Sequence, residues 1–197
     1  VAQYQPTNPK RLILGTHFDT KIGISGANDG ASGTAILLNL LSKTSDNLDI
    51  GIDIVFFDGE EGDPEVEGMS VWYPIGSTYF ANNLNQIYKQ KPFGAIVIDM
   101  VCDENMEIFK ERSSSIYAND LLEKFWSLAS TKYPQSFKNT FKYSITDDHT
   151  PLNNVGIPSI LLIDFDYPYF HTREDSLDKC SETSLEVVED VLLQFIT

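Results

Sequence analysis

Residues 11–19 read RLILGTHFD: an apolar run over 11–15, then His17 and Asp19 within four positions. The run is too short for a helix and rich in Leu and Ile, the signature of a strand covered on both faces. Three more runs share that character, at 53–57 (DIVFF), 95–98 (AIVI) and 159–163 (SILLI). Helical spacing of apolar residues fills the intervals at 33–42, 77–84, 120–131 and 184–195. Strands alternating with helices predict an α/β fold, a three-layer α-β-α sandwich around a central, largely parallel mixed sheet. A length of 197 residues suits one domain with a substantial core. The longest irregular stretches are 64–76 and 164–176. Long loops of this kind often carry function.

Each strand run is followed almost at once by acids or a histidine. His17 and Asp19 follow the first, and Asp58, Glu60 and Glu61 the second. Asp99 follows the third, and Asp164, Asp166 and then His171 the fourth. In open α/β sheets the ligand crevice lies at the carboxyl ends of the strands, so these groups are expected to converge there. One acid at a strand end is an ordinary solvated loop residue; four strand ends with two histidines form a pattern. Carboxylate and imidazole donors without thiolates suit zinc in an open, catalytic site. The turn NDGASG (28–33) places Asp29 at the entrance to a helix, where glycines let the chain approach a ligand closely. By itself that turn reads better as an ordinary helix cap. Glu60 and Glu61 are adjacent carboxylates whose repulsion a metal on one would relieve, leaving the other free as a base.

Composition narrows the rest. The net charge is −15, with no basic cluster, which argues against nucleic acid as a partner. No apolar run is long enough to span a bilayer. Two cysteines, Cys102 and Cys180, make neither a disulfide framework nor a thiolate metal site.

The segments THFD (16–19), GANDGASG (26–33), FFDGEEG (56–62), GSTYFA (76–81), VIDMV (97–101) and YFHTREDS (169–176) together resemble the M28 family of zinc exopeptidases, which includes glutaminyl cyclases. The resemblance runs over nearly the whole chain in the same order. It implies that His17, Asp29, Glu61, Asp99 and His171 correspond to the family's metal ligands, with Asp29 bridging where two zincs bind. It further implies Glu60 as general base and Asp19 as the acid behind the ligands. Family chains usually carry an additional N-terminal segment, so residues 1–197 are expected to form a single zinc-dependent catalytic domain without it.

Within the family, TDDHTP (146–151) is similar to the glutaminyl cyclase branch, whereas the aminopeptidase branch more often has Ser at the position of Asp147. The cyclase resemblance implies one zinc on Asp29, Glu61 and His171, and a proton-handling network of Glu60, Asp99 and Asp147. The aminopeptidase alternative implies a second zinc through His17 and Asp99. Many cyclases have Trp where this chain has Phe170; Phe170 and Trp72 are the expected pocket walls. The implied partner is a peptide or protein with a free N-terminus, and the implied compartment is secreted or periplasmic. A non-catalytic binding domain on the same scaffold ranks third, because the ligand and base positions are all filled.

Overall fold

In the computed structural model, residues 1–44, 48–62 and 72–197 are described. Five strands form the main sheet: β1 (Ala2–Tyr4), β2 (Arg11–His17), β3 (Gly51–Phe57), β4 (Gly94–Asp99) and β7 (Ser159–Ile163). Their spatial order is β1-β3-β2-β4-β7. The edge strand β1 is antiparallel to β3, and every other pairing is parallel. A second, two-stranded sheet pairs β5 (Ile108–Lys110) with β6 (Phe137–Phe141). The helices are α1 (Ala31–Lys43), α2 (Ile75–Asn82), α3 (Arg112–Lys132), α4 (His149–Asn154) and α5 (Glu182–Ile196).

Successive side chains of a strand point to opposite faces of the sheet, and the core divides on that rule. Leu12, Leu14, Ile52, Ile54, Ile96 and Ile98 pack in one apolar cluster with α1, α3 and α5, whose buried faces include Leu37, Phe125, Trp126 and Leu192. The intervening residues Ile13, Val55, Phe57, Ala95 and Val97 pack in another cluster, with Phe80 of α2 and Leu152 of α4. Both faces of the sheet are therefore covered, which is why β2 and β4 are buried along their whole length. The expected α/β sandwich with a largely parallel sheet is the observed architecture.

Close approach of α1 to the sheet depends on Gly33. A Cβ there would collide with the Thr16 hydroxyl and the Ile98 carbonyl. At the sheet edge, the Arg11 guanidinium donates to Asp53 at 2.7 and 2.8 Å and to the carbonyls of Tyr4, Gln5 and Asn8. One buried ion pair thus holds β1 and the following turn against β3.

Three of the four strand runs extend by one or two residues beyond the sequence-derived limits, and the fourth, Ser159–Ile163, keeps them. α3 begins at Arg112 and runs across a non-helical Ala118. α2 begins at Ile75, inside the stretch expected to be irregular, and residues 64–71 of that stretch lie outside the described residues. The reading that Cys102 and Cys180 make no disulfide framework is corrected: they form a disulfide across 78 positions. Folding brings the end of β4 beside the start of α5, where Ser181 N–H also donates to the Cys102 carbonyl at 2.6 Å. Nothing in the spacing of two cysteines announces that encounter.

Candidate metal centre

The parallel strands β2, β3, β4 and β7 direct their carboxyl ends to one edge of the sheet. His17 is the last residue of β2 and Asp99 the last of β4. Glu60 and Glu61 lie in the turn after β3, and Asp29 sits just before α1. His171 belongs to the long segment after β7.

These side chains form two groups of possible metal donors that share Asp29: His17, Asp29 and Asp99, and Asp29, Glu61 and His171. Within each group the donor atoms lie within 4.8 Å of one another. His17 Nε2 is 2.9 Å from Asp99 Oδ1 and 3.4 Å from Asp29 Oδ1. His171 Nε2 is 2.9 Å from Glu61 Oε2 and 3.5 Å from Asp29 Oδ2. Among the described residues, Asp29 Oδ2 and Glu61 Oε1 are buried without a hydrogen-bond partner. A buried carboxylate oxygen without a donor is costly; a divalent cation satisfies both at once. The oxygen and imidazole donor set fits zinc.

The surrounding residues fix these donors. Asp19 accepts the N–H groups of Glu60 at 3.2 Å and Glu61 at 2.9 Å, and its carbonyl lies 3.1 Å from His17 Nδ1. Asp175 accepts the N–H groups of Asn28 and Asp29 and the hydroxyl of Tyr167. His171 adopts a left-handed backbone (φ 57°), uncommon for a residue with a side chain. Its ring stacks on Phe170 with centroids 3.8 Å apart, and Lys21 Nζ lies 3.3 Å from its Nδ1.

Acid crowding sets the protonation. Burial pushes Glu60 up to about 11, reinforced by the charge of Asp147 and partly offset by His17. Burial likewise drives Asp147 well above the carboxylate range, helped by Asp99 and Asp148. Asp29 is pushed up to about 8 by burial, against the opposing hydrogen bond to His17. For His17, burial favours the neutral ring, but the Asp99 charge and hydrogen bonds to Asp19 and Asp29 outweigh it and raise the imidazole. For Glu61, burial is outweighed by His171, and the carboxyl is lowered. Carboxylates at this density must share protons or a cation.

A cavity of about 630 Å³ opens above the donors. Glu60, Asp99 and Asp147 line it together with Trp72, Phe170 and His171. The Trp72 indole donates to the Glu60 carbonyl at 2.8 Å, so one cavity wall also holds that backbone. A somewhat larger cavity, about 690 Å³, lies at the opposite end of the sheet against Lys10, Phe93 and Phe195, and none of these donors reaches it.

Some strand-end acids stand apart. Asp58 is exposed, and Asp166 is paired with Lys142 and Tyr143. Asp164 is buried, with its N–H on the Met100 carbonyl. Sequence reasoning did not single out Asp175, Lys21 or Glu111. Asp175 lies inside the quoted YFHTREDS segment, and Lys21 only two positions after Asp19.

Residues 1–196 match the model of peptidase family M28. The chain belongs to that family. The glutaminyl-peptide cyclotransferase of Dictyostelium discoideum is 26% identical over 221 residues, covering 95% of this chain and 60% of that protein. The Tannerella forsythia glutaminyl cyclase structure superposes with a TM-score of 0.90 at 30% identity, covering 98% of this chain and 75% of that one. A Zn-dependent exopeptidase from Parabacteroides distasonis superposes with a TM-score of 0.91, also at 30% identity, with 98% and 75% covered. The chain spans about three fifths of the length of the curated cyclotransferases it matches (60% and 64% for two of them). The matched structures thus carry both cyclase and exopeptidase names.

Proposed function

We propose that this M28 domain, residues 1–197, converts N-terminal glutamine of a peptide or protein to pyroglutamate and releases ammonia. The observation that carries this reading is Asp147, an acid only 2% exposed that lines the cavity also lined by Glu60 and the metal donors. The similarity to named glutaminyl cyclases supports it.

Asp29, Glu61 and His171 would hold a zinc ion. When bound, zinc supplies Lewis acidity toward the γ-carboxamide oxygen of the substrate. Ionised Glu60, the form that a cation on the neighbouring donors would favour, accepts a proton from the α-amine as that nitrogen forms its bond to the γ-carboxamide carbon. Glu60 then returns the proton to the leaving nitrogen, the C–N bond of the amide breaks, and ammonia departs. The Asp147 and Asp99 carboxyls orient the amine and share protons with Glu60, keeping a proton in the cluster near neutral pH. Trp72 and Phe170 flank the glutamine side chain. The substrate's own amine is the nucleophile, so one ion suffices.

A second reading is a two-zinc aminopeptidase, favoured by the complete His17–Asp29–Asp99 group and by the similarity to a zinc exopeptidase. The Cys102–Cys180 disulfide supports an oxidising compartment, secreted or periplasmic. Among the described residues no helix is long and apolar enough to cross a membrane. Incubating zinc-loaded protein with a Gln-peptide and an Ala-peptide separates the readings. The cyclase releases ammonia from the first and leaves the second intact, whereas the aminopeptidase frees alanine from the second and releases no ammonia from the first.

A further inference from the structure

Glu111 lies outside the cavity, yet it is only 1% exposed and its carboxylate gathers donors from three directions. It caps α3 by accepting the N–H groups of Ser113 at 2.8 Å and Ser114 at 2.6 Å. It also accepts both serine hydroxyls, at 2.5 and 2.8 Å. Helix capping accounts for those contacts. It does not account for the other two. The N–H of Ile145 donates to Glu111 Oε1 at 3.0 Å, and the imidazole Nε2 of His149 lies 3.4 Å from Oε2.

Ile145 and His149 stand two positions before and two positions after Asp147. One buried carboxylate therefore grips both ends of the five-residue segment whose centre carries the cavity acid. Ser113 completes the clasp: its hydroxyl lies 3.4 Å from both the Ile145 carbonyl and His149 Nε2. Upstream, Arg112 N–H donates to the Tyr143 carbonyl at 2.8 Å, extending the same grip. Between the two holds, the chain turns on itself. Thr150 N–H donates to the Asp147 carbonyl, and Asp148 N–H donates to the Asp147 carboxylate. Burial alone would raise Glu111, but the hydrogen bonds from His149, Ser113 and Ser114 outweigh it and hold the carboxyl below its ordinary range. A buried charge forces every donor around it to stay in place, because a lost partner leaves it uncompensated.

We infer that Glu111, acting with His149, is a positioning residue that sets the Asp147 carboxylate in the cavity by clamping residues 145 and 149. The inference rests on the reading of Asp147 as a participant in catalysis. It adds a device on the far side of the segment, built from a helix cap that no site motif contains.

Glu111→Asp tests it. Aspartate is among the best helix-capping residues, so the shorter side chain keeps the start of α3. It cannot reach Ser113, Ser114, Ile145 and His149 together. Two measurements are made on zinc-loaded protein: amide hydrogen exchange along the chain, and ammonia release from a Gln-peptide. Exchange is expected to rise at least about tenfold at 145–149 and to stay unchanged in the second half of α3. The turnover number is expected to fall by about 10- to 100-fold, the scale of a small displacement of a reacting group, while KM moves less than about threefold. Exchange that is unchanged at 145–149, or raised equally through α3, overturns the clamp. Lost turnover without the local exchange change also overturns it. If wild type releases no ammonia, the cyclase reading fails by itself, and the exchange pattern still decides for or against the clamp. Should Glu111→Asp not fold, Ser113→Ala takes its place, since it removes the hydroxyl between the two holds and leaves the capping N–H groups. The same local rise in exchange is then expected, and its absence overturns the inference.

Discussion

The Asp175 carboxylate accepts the backbone N–H of Asp29 at 3.1 Å and that of Asn28 at 2.9 Å. Asp29 is the one donor common to both metal groups. The segment after β7 therefore contributes a candidate metal donor, His171, and also fixes the backbone of another, Asp29. Groups that orient metal ligands typically change affinity 10- to 100-fold when removed. Asp175→Ala is expected to weaken zinc binding by about that factor, measured by competition with a chromogenic chelator. An unchanged dissociation constant would contradict this role.

Glu60 sits beside a donor but belongs to neither metal group. Glu60→Gln preserves size and removes basicity. The variant should hold wild-type zinc by elemental analysis and lose turnover by about 10²–10⁴-fold, the range for a general base. Near-normal turnover with full zinc would remove Glu60 from the mechanism.

Stability of the metal-free protein should fall as pH rises from about 4 to 7. Burial pushes both Asp148 and Asp164 up to about 7, whereas in the unfolded chain they titrate near 4. Within that window the folded state keeps protons that the unfolded state releases. The stabilisation is complete below about 4 and is lost as pH rises through 7, at about 1.4 kcal/mol per pH unit for each proton. Glu111 is shifted downward, so its contribution is lost only as pH falls below its unfolded value near 4.5. Asp164→Asn, away from the metal donors, should flatten the curve between pH 4 and 7 by one proton. Parallel curves for variant and wild type would exclude this account.

The disulfide ties the strand end that carries Asp99 to the segment that carries His171 and Asp175. It closes a loop of 78 positions, and bonds of this kind typically contribute about 2–4 kcal/mol. The double variant Cys102→Ser/Cys180→Ser should lose roughly that amount in urea unfolding at constant zinc. An equal midpoint with and without reductant would show that the bond is absent or inconsequential.

The four parallel strands were legible because each is buried on both faces and reads as a short apolar run. Strand-end polarity was legible for the same reason: His17, Asp58 and Asp99 each follow an apolar run within two positions, and Glu60 and Glu61 lie just beyond Asp58. The short strands β1, β5 and β6 left no such trace. Only three residues of β1 pair with β3, and β6 is largely exposed, so neither needs a long apolar run. Asp164 and Asp166 carry the same local signature as Asp99 but belong to neither donor group, and Asp166 pairs with Lys142 and Tyr143 instead. The Glu111 clamp was invisible because its contacts to Ile145 and His149 span 34 and 38 positions, and capping alone accounts for a Glu before a helix.

Asp147 carries the choice between the two enzyme readings, and ammonia release from a Gln-peptide measures it most directly. Zinc-loaded wild type is expected to release one ammonia per pyroglutamate formed and to leave an Ala-peptide intact. Asp147→Ser, with zinc retained, is expected to release none. If wild type releases no ammonia from the Gln-peptide but frees alanine from the Ala-peptide with two zinc ions bound, the cyclase account is contradicted and the aminopeptidase reading replaces it.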